Sequence, residues 1–157
     1  MPVPILIGEK FFHHARAGSP DSMTAATMPL PPETGLEECL FRGIRDGIGS
    51  LEGARSHGAW QSPKLAASTP QEVISQLKES GLTGRGGAGF PTGIKWEAVR
   101  NESRGPKYIV CNADESEVGC FKDRLLMAHS PHAMLEGMAC AGLVTGAEIG
   151  IVYLRWE

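Results

Sequence analysis

Lys107-Tyr108-Ile109-Val110-Cys111 and Ile149-Gly150-Ile151-Val152-Tyr153-Leu154 are the two runs that decide the architecture. The first has no polar alternation at its centre, and both read as buried strands. Between them Ser130-Pro131 signals a helix start. Met134, Leu135 and Met138 give that helix an apolar face, and Gly146 ends it. Strand, helix and strand at this spacing make a βαβ crossover, which predicts parallel strands joined by a right-handed connection. In open α/β sheets ligands sit beyond the carboxyl ends of the strands. Asn112–Glu117 leaves the carboxyl end of the first strand and Arg155-Trp156-Glu157 leaves that of the second. Two polar clusters are thereby expected on one rim.

Upstream, Thr69-Pro70-Gln71-Glu72 has the form of a capping box with proline at the first helical position. Val73, Ile74 and Leu77 share one face and Gly81 follows as a C-terminal cap, which predicts a helix over 70–79. That helix leads into Gly84-Arg85-Gly86-Gly87-Ala88-Gly89-Phe90-Pro91-Thr92-Gly93, then Ile94-Lys95-Trp96. A glycine-rich turn flanked by Arg85 and Lys95 can bring backbone N–H groups and positive charge to a phosphate. The plainer reading is a tight loop that needs positive φ at several positions. The letters fit G-x-G-x-x-G, but the Rossmann version follows a strand and this one follows a helix; no Gly-Lys-Ser/Thr occurs, so it is not a Walker loop either. Pro91 opens a further short helix carrying Lys95 and Trp96.

The acidic stretch Asn112-Ala113-Asp114-Glu115-Ser116-Glu117 can bind sugar hydroxyls or the edge of a heterocycle. Asp114, Glu115 and Glu117 also suit a hard cation, although without calcium-loop spacing, or form a solvated acidic loop. Acid/base chemistry is a further option, but no His lies near in sequence to relay protons. Phe90, embedded in the glycine loop, is a stacking candidate, whereas Trp96 reads as core. His129 and His132 flank the start of the helix at 130–131 and read as surface or capping residues. Taken together, the two loops suggest a nucleotide or flavin cradle.

The chain has 157 residues, 41% of them apolar, and a formal net charge of −3. That is room for one domain with a core, and there is no long basic run pointing to nucleic acid or an anionic membrane surface. No apolar stretch approaches a membrane span. The start, Met1 to Gly8, lacks a basic n-region, and Glu9 and Asp21 argue against a transit peptide. Cys39, Cys111, Cys120 and Cys140 lack the close spacing of a zinc, redox or iron–sulfur motif and read as free, mostly buried thiols. His13-His14 has no companion ligand and reads as a solvated pair. Residues 1–33 mix Pro, Gly, Ser, Thr and Ala without a sustained period and read as a flexible tail. Residues 34–68 form an irregular lead-in. Leu36, Leu40 and Ile44, with Thr34 and Glu37 at capping-box spacing, hint at a helix near 35–46, after which glycines and Pro63 interrupt any pattern.

Ser80-Gly81-Leu82-Thr83 with Gly84 to Trp96, and then Tyr108 to Arg124, resembles the NADH-oxidising FMN flavoprotein subunit of respiratory complex I. The diaphorase subunit of NAD-reducing hydrogenases and the flavoprotein subunit of NAD-dependent formate dehydrogenases share the signature. The resemblance runs from about Gly58 to Glu157. It implies that Gly84, Arg85, Gly86, Gly87 and Lys95 hold FMN, and that Asn112, Asp114 and Ser116 meet the ribityl chain and the flavin. It implies that Glu117 is the carboxylate beside the nicotinamide, the expected catalytic residue, and that Phe90 packs on the adenine of NADH with Ala88 on the same side. No metal ligand is expected in this chain.

Some positions depart from the pattern. Ala98 stands where a second aromatic is frequent, Val118 where proline is usual and Trp156 where glycine is usual. The family continues beyond this last strand with further FMN and NADH contacts, a ubiquitin-like domain and a helical iron–sulfur domain. Residues 69–157 are therefore expected to be the N-terminal half of an α/β FMN- and NADH-binding domain, with an incomplete parallel sheet that leaves an edge and an apolar face uncovered. The implied function is that of an NADH dehydrogenase piece, passing hydride from NADH to FMN and electrons to iron–sulfur clusters and quinone. The alternatives are a non-catalytic nucleotide-binding or assembly fragment, the flavoprotein subunit of a hydrogenase or formate dehydrogenase, and an unrelated phosphate-binding α/β protein. The implied partners are other subunits of an NADH-oxidising complex, notably a thioredoxin-like iron–sulfur subunit, with no nucleic acid and no direct membrane insertion. The implied location is cytoplasmic, peripheral on the cytoplasmic side of the inner membrane.

Overall fold

The structure, a computed structural model, describes residues 49–154 together with two short strands, β1 (Ile5–Ile7) and β2 (Lys10–Phe12). The helix expected near 35–46, His13-His14, Cys39 and Arg155-Trp156-Glu157 lie outside the described residues. The elements that follow are α1 (Leu51–Ser56), α2 (Ser62–Ser68), α3 (Pro70–Glu79), α4 (Thr92–Asn101), β3 (Tyr108–Ala113), α5 (Lys122–His129), α6 (Pro131–Thr145) and β4 (Ile149–Leu154).

Helix α6 is the hub. Helices α1 to α5 and both strands β3 and β4 lie against it. Its sequence explains why: Glu136 is its one acidic or basic side chain apart from His132, so it is apolar nearly all round, as a surrounded helix must be. Glu136 accepts a hydrogen bond from the Ser62 N–H at 3.2 Å, which ties the start of α2 to the hub. Ala66, Ile74 and Val144, from α2, α3 and α6, form the core, with Val73, Trp96 and Cys140 packed around them. Trp96 is therefore core, as its sequence context predicts. Gly146, at φ 76°, ends α6 in the left-handed conformation. The buried Thr145 hydroxyl donates to the Ala141 carbonyl at 2.7 Å. Lys107 donates to the carbonyls of Arg100 (3.0 Å) and Thr145 (3.3 Å), and Arg100 donates to that of Val144. Two cations thus satisfy the carboxyl ends of α4 and α6, where helix dipoles favour positive charge.

Strands β3 and β4 pair in parallel, from Tyr108 opposite Ile149 to Ala113 opposite Leu154. The parallel βαβ unit is as expected, with two differences. Asn112 belongs to the ladder, opposite Tyr153, rather than to the loop. β3 is also not buried on both faces: Ile109, Cys111 and Ala113 are covered in part or whole, whereas Tyr108, Val110 and Asn112 are exposed. The reason is that α6 covers one face of β3, while no described element covers the other. Apolar composition alone does not distinguish one covered face from two.

Three further expectations are corrected. Within the segment expected as a tail, β1 and β2 pair antiparallel, Ile5 with Phe12 and Ile7 with Lys10. Ile5-Leu6-Ile7 and Lys10-Phe11-Phe12 flank Gly8-Glu9, a two-residue Gly-x spacing that signals a hairpin in the sequence. Pro63 does not interrupt the lead-in but opens α2, in the first turn where its missing N–H costs nothing. α3 spans Pro70–Glu79 as expected, with Gly81 at φ 65° after it, but the capping box is not closed. Thr69 also ends α2, and its hydroxyl donates back to the Leu65 carbonyl at 3.1 Å, while Glu72 accepts from Gln76.

Candidate functional site

The glycine loop is closed by its own main chain. Gly84 N–H donates to the Phe90 carbonyl and Thr92 N–H to the Leu82 carbonyl, both at 2.8 Å, around an antiparallel bridge between Thr83 and Pro91. Between these ties the chain reverses with Gly87 at φ 101° and Gly89 at φ 61°. A Cβ at Gly86, Gly87 or Gly89 would meet nothing within 4 Å. At Gly87 and Gly89 glycine is therefore required by backbone conformation and not by crowding. Arg85, Ala88 and Phe90 are exposed, Phe90 at 50%.

Lys95 sits on α4, which begins directly after Pro91. Its ammonium folds back to the base of the loop: a Cβ at Gly84 would lie 3.6 Å from Lys95 Nζ. What fixes α4 relative to the loop is a close approach that local sequence signals do not show. A Cβ at the buried Gly93 would fall 2.7 Å from Lys78 Cγ and 2.8 Å from Lys78 N. Gly93 thus lets α4 cross α3 nearly backbone to backbone, aided by a Lys78–Glu97 ion pair at 2.7 Å. An open loop with glycines at positive φ, an exposed arginine within it and the Lys95 ammonium at its base is a donor set suited to a phosphate dianion.

The acidic loop leaves the carboxyl end of β3, as the topology predicts. It is organised by side chains. Asn112 Oδ1 accepts from the Asp114 N–H at 3.2 Å, and the Ser116 hydroxyl donates to Asp114 Oδ2 at 2.7 Å. The structure thus gathers Asn112, Asp114 and Ser116 into one hydrogen-bonded group. Ser116 and Glu117 are exposed, as is Val118 after them.

Glu115 does something else. Its side chain is only 6% exposed, and both carboxylate oxygens are occupied: Oε1 accepts from Asp123 N–H at 2.9 Å and Oε2 from Arg124 N–H at 3.0 Å. Lys122 Nζ lies 3.4 Å from Oε1 and 2.7 Å from Asp123. Burial raises the Glu115 pKa, but the two N–H donors and the Lys122 charge outweigh it, so the carboxyl lies below its usual range. Lys122 is raised in turn, chiefly by its hydrogen bond to Asp123. Of the readings open for this run, neither a cation site nor a solvated loop describes Glu115. No group of three or more His, Cys, Asp or Glu able to hold a metal occurs among the described residues. A signal for the cap was present: α5 starts after Phe121, which cannot cap a helix, so its first N–H groups had to be served from elsewhere.

The thiols are less buried than expected. Cys120 is exposed, and Cys111 and Cys140 are half-buried. Burial raises the pKa of both half-buried thiols, with Asp123 adding to it for Cys111 and Glu136 for Cys140. His132, read from the sequence as a surface or capping residue, is half-buried. Its ring meets Trp60 edge-on with centroids 6.1 Å apart, and Trp60 Nε1 and His132 Nδ1 are both buried without a hydrogen-bond partner in the structure.

A cavity of about 540 Å³ lies between α6 and the sheet, lined by Ile109, Met138, Leu143, Ile149, Val152 and Trp60 among others. It is apolar, contains none of the candidate residues and includes the amino-terminal residues of β4. The polar chemistry lies with the two loops, not with this cavity.

Residues 77–157 match the family described as Complex1_51K, the Nuo51 FMN-binding domain. The chain is 52% identical over 93 residues to an F-type subunit of the NADH-quinone oxidoreductase of Rhizobium meliloti (strain 1021), an alignment covering 59% of this chain and 22% of that protein. It is 42% identical over 127 residues to the F-type NADH-quinone oxidoreductase subunit of Aquifex aeolicus (strain VF5), covering 80% and 29%. Among solved structures it is similar to NAD+-reducing NiFe-hydrogenase in the air-oxidized state, with a TM-score of 0.59 and 34% identity over 76% of this chain and 19% of that one. The chain therefore spans about a quarter of the length of the curated relatives it matches.

Proposed function

Because this chain belongs to the family of the Nuo51 FMN-binding domain, we propose that its two loops are the phosphate and ribityl contacts of an FMN site in an NADH-oxidising flavoprotein. The observation that carries the proposal is the Lys95 ammonium held at the base of a glycine loop whose shape is locked by main-chain bonds. Gly84, Gly86 and Gly87, with Arg85 and Lys95, would take the phosphate. Asn112, Asp114 and Ser116 would take the hydroxyls and the ring edge. FMN, when bound, supplies the acceptor for a hydride from NADH. The protein supplies position. Lys95 and Arg85 neutralise the phosphate, and the bonded Asn112–Asp114–Ser116 group presents fixed donors and acceptors to the ribityl chain. Glu117, on the solvent side of the same loop, orients the nicotinamide, and the exposed Phe90 and Ala88 offer a face for the adenine.

The assembly it serves would contain subunits that accept the electrons. The curated relatives point to an NADH:quinone oxidoreductase and the solved structure to an NAD-linked hydrogenase, and a thioredoxin-like iron–sulfur subunit is the proposed neighbour. No described helix is long and apolar enough to cross a membrane. By analogy with the family, we place the chain peripherally on the cytoplasmic side of the inner membrane, as part of its complex.

Fusing the chain to the C-terminal remainder of the Aquifex aeolicus relative tests the function. The fusion, loaded with FMN, should reduce ferricyanide with NADH, and Glu117→Ala should slow turnover at least about tenfold. A flavin-loaded fusion with no NADH oxidation would overturn the proposal.

A further inference from the structure

We propose that Glu115 is a positioning residue for the FMN site, clamping the base of the loop that carries the candidate contacts. This deepens the FMN reading above and rests on it. Glu115 lies between Asp114 and Ser116, which bond to each other, and its own side chain points away from them to the start of α5. Its two carboxylate oxygens take the N–H groups of Asp123 and Arg124, so residues 116–122 form an excursion closed at its neck by one side chain. Glu117, Val118 and Cys120 ride on that excursion. Within it, Cys120 N–H bonds to the Glu117 carbonyl at 3.1 Å, and Gly119 turns at φ 85°. Lys122 bridges Glu115 and Asp123 across the neck.

The clamp matters because α5 has no cap of its own. Phe121 occupies the cap position and makes no side-chain bond there. Removing Glu115 leaves two N–H groups of the first turn unserved, and the loop loses its tie to α5 through a largely buried carboxylate. Asn112 is held independently by the β ladder, whereas Asp114, Ser116 and Glu117 are held through the loop. Loss of the clamp therefore displaces the second group relative to the first, without touching the glycine loop.

The test compares the fusion described above with its Glu115→Ala and Glu115→Gln forms. Glu115→Gln keeps one acceptor oxygen, so it serves one of the two N–H groups and guards against a variant that fails to fold. FMN fluorescence titration gives affinity, visible circular dichroism of bound FMN reports its surroundings, and amide exchange reads Asp123 and Arg124. The expected result is roughly tenfold weaker FMN binding and a changed flavin dichroism in Glu115→Ala, with partial recovery in Glu115→Gln and faster exchange at both amides. Unchanged affinity and dichroism alongside faster exchange would make Glu115 a helix cap only and overturn the positioning role while leaving the FMN reading intact. An unsubstituted fusion that binds no FMN would overturn the FMN reading, and the positioning role with it.

Discussion

Residues 84–90 are closed by main-chain hydrogen bonds, whereas residues 112–124 are closed by the side chains of Asn112, Asp114, Glu115 and Ser116. The first loop has its shape written in glycine conformations, Gly87 and Gly89 at positive φ, and in the absence of Cβ atoms at a crowded crossing. The second has its shape written in carboxylates and an amide, so it depends on charge. A ligand with a phosphate at one end and hydroxyls at the other would meet a pH-insensitive backbone cradle and a pH-sensitive side-chain one. The two halves of the site should therefore fail differently when perturbed.

Gly93→Ala should have the largest effect. Its Cβ would meet the Lys78 backbone nitrogen at 2.8 Å, and backbone cannot step aside as a side chain can. We expect a loss of about 3 kcal/mol in urea unfolding, because α3 and α4 must part. An unchanged midpoint would mean that the crossing is loose and that Lys95 is not fixed by it. Glu115→Ala comes next, at about 1–2 kcal/mol, the scale of a lost helix cap. If its stability matched that of the parent, the side-chain account of the acidic loop would be wrong. Gly87→Ala should cost about 1 kcal/mol, from the left-handed backbone alone, since the added methyl has open space. A larger loss would reveal crowding that the open loop does not have.

The smallest effect is the pH dependence. The Glu115 carboxyl is depressed below its ordinary value of 4.5, with burial opposing the shift and the two N–H donors and Lys122 producing it. Its contribution is therefore fully present above about pH 4.5 and is lost as pH falls through the depressed folded value. Amide exchange at Asp123 and Arg124, corrected for intrinsic rate, should rise across that window in the parent chain and stay flat in Glu115→Gln. The Gly84 amide, bonded to a carbonyl, should show no such step.

Much of the fold is legible in the sequence where local signals agree. The helix at 70–79, the strand at 149–154, the end of the long helix at Gly146 and the parallel pairing all follow from periodicity and caps. What escapes is set by groups far apart in the chain. The hydroxyl of Thr69 goes to the helix behind it, and no local rule says which of two adjoining helices a shared cap residue will serve. Gly93 reads as one more residue of a glycine-rich loop, because its function is an approach to Lys78, fifteen positions earlier. Glu115 reads as one of three acids, although its partners Asp123 and Arg124 identify it as the structural one. Lys95, Asn112, Asp114 and Ser116 stand out as candidate contacts in the sequence because loop chemistry and family resemblance coincide there. The exposed face of β3 does not stand out, because covered and bare apolar faces have the same composition.

Recognition of a phosphate by the glycine loop and Lys95 is the central claim, and a paired titration tests it most directly. The chain would be titrated into FMN and into riboflavin, which differ only in the phosphate, with and without Lys95→Ala. Saturable quenching of FMN, binding of riboflavin at least about tenfold weaker, and loss of that preference in Lys95→Ala are the predicted results. Equal binding of FMN and riboflavin, or a preference that survives Lys95→Ala, would contradict the account.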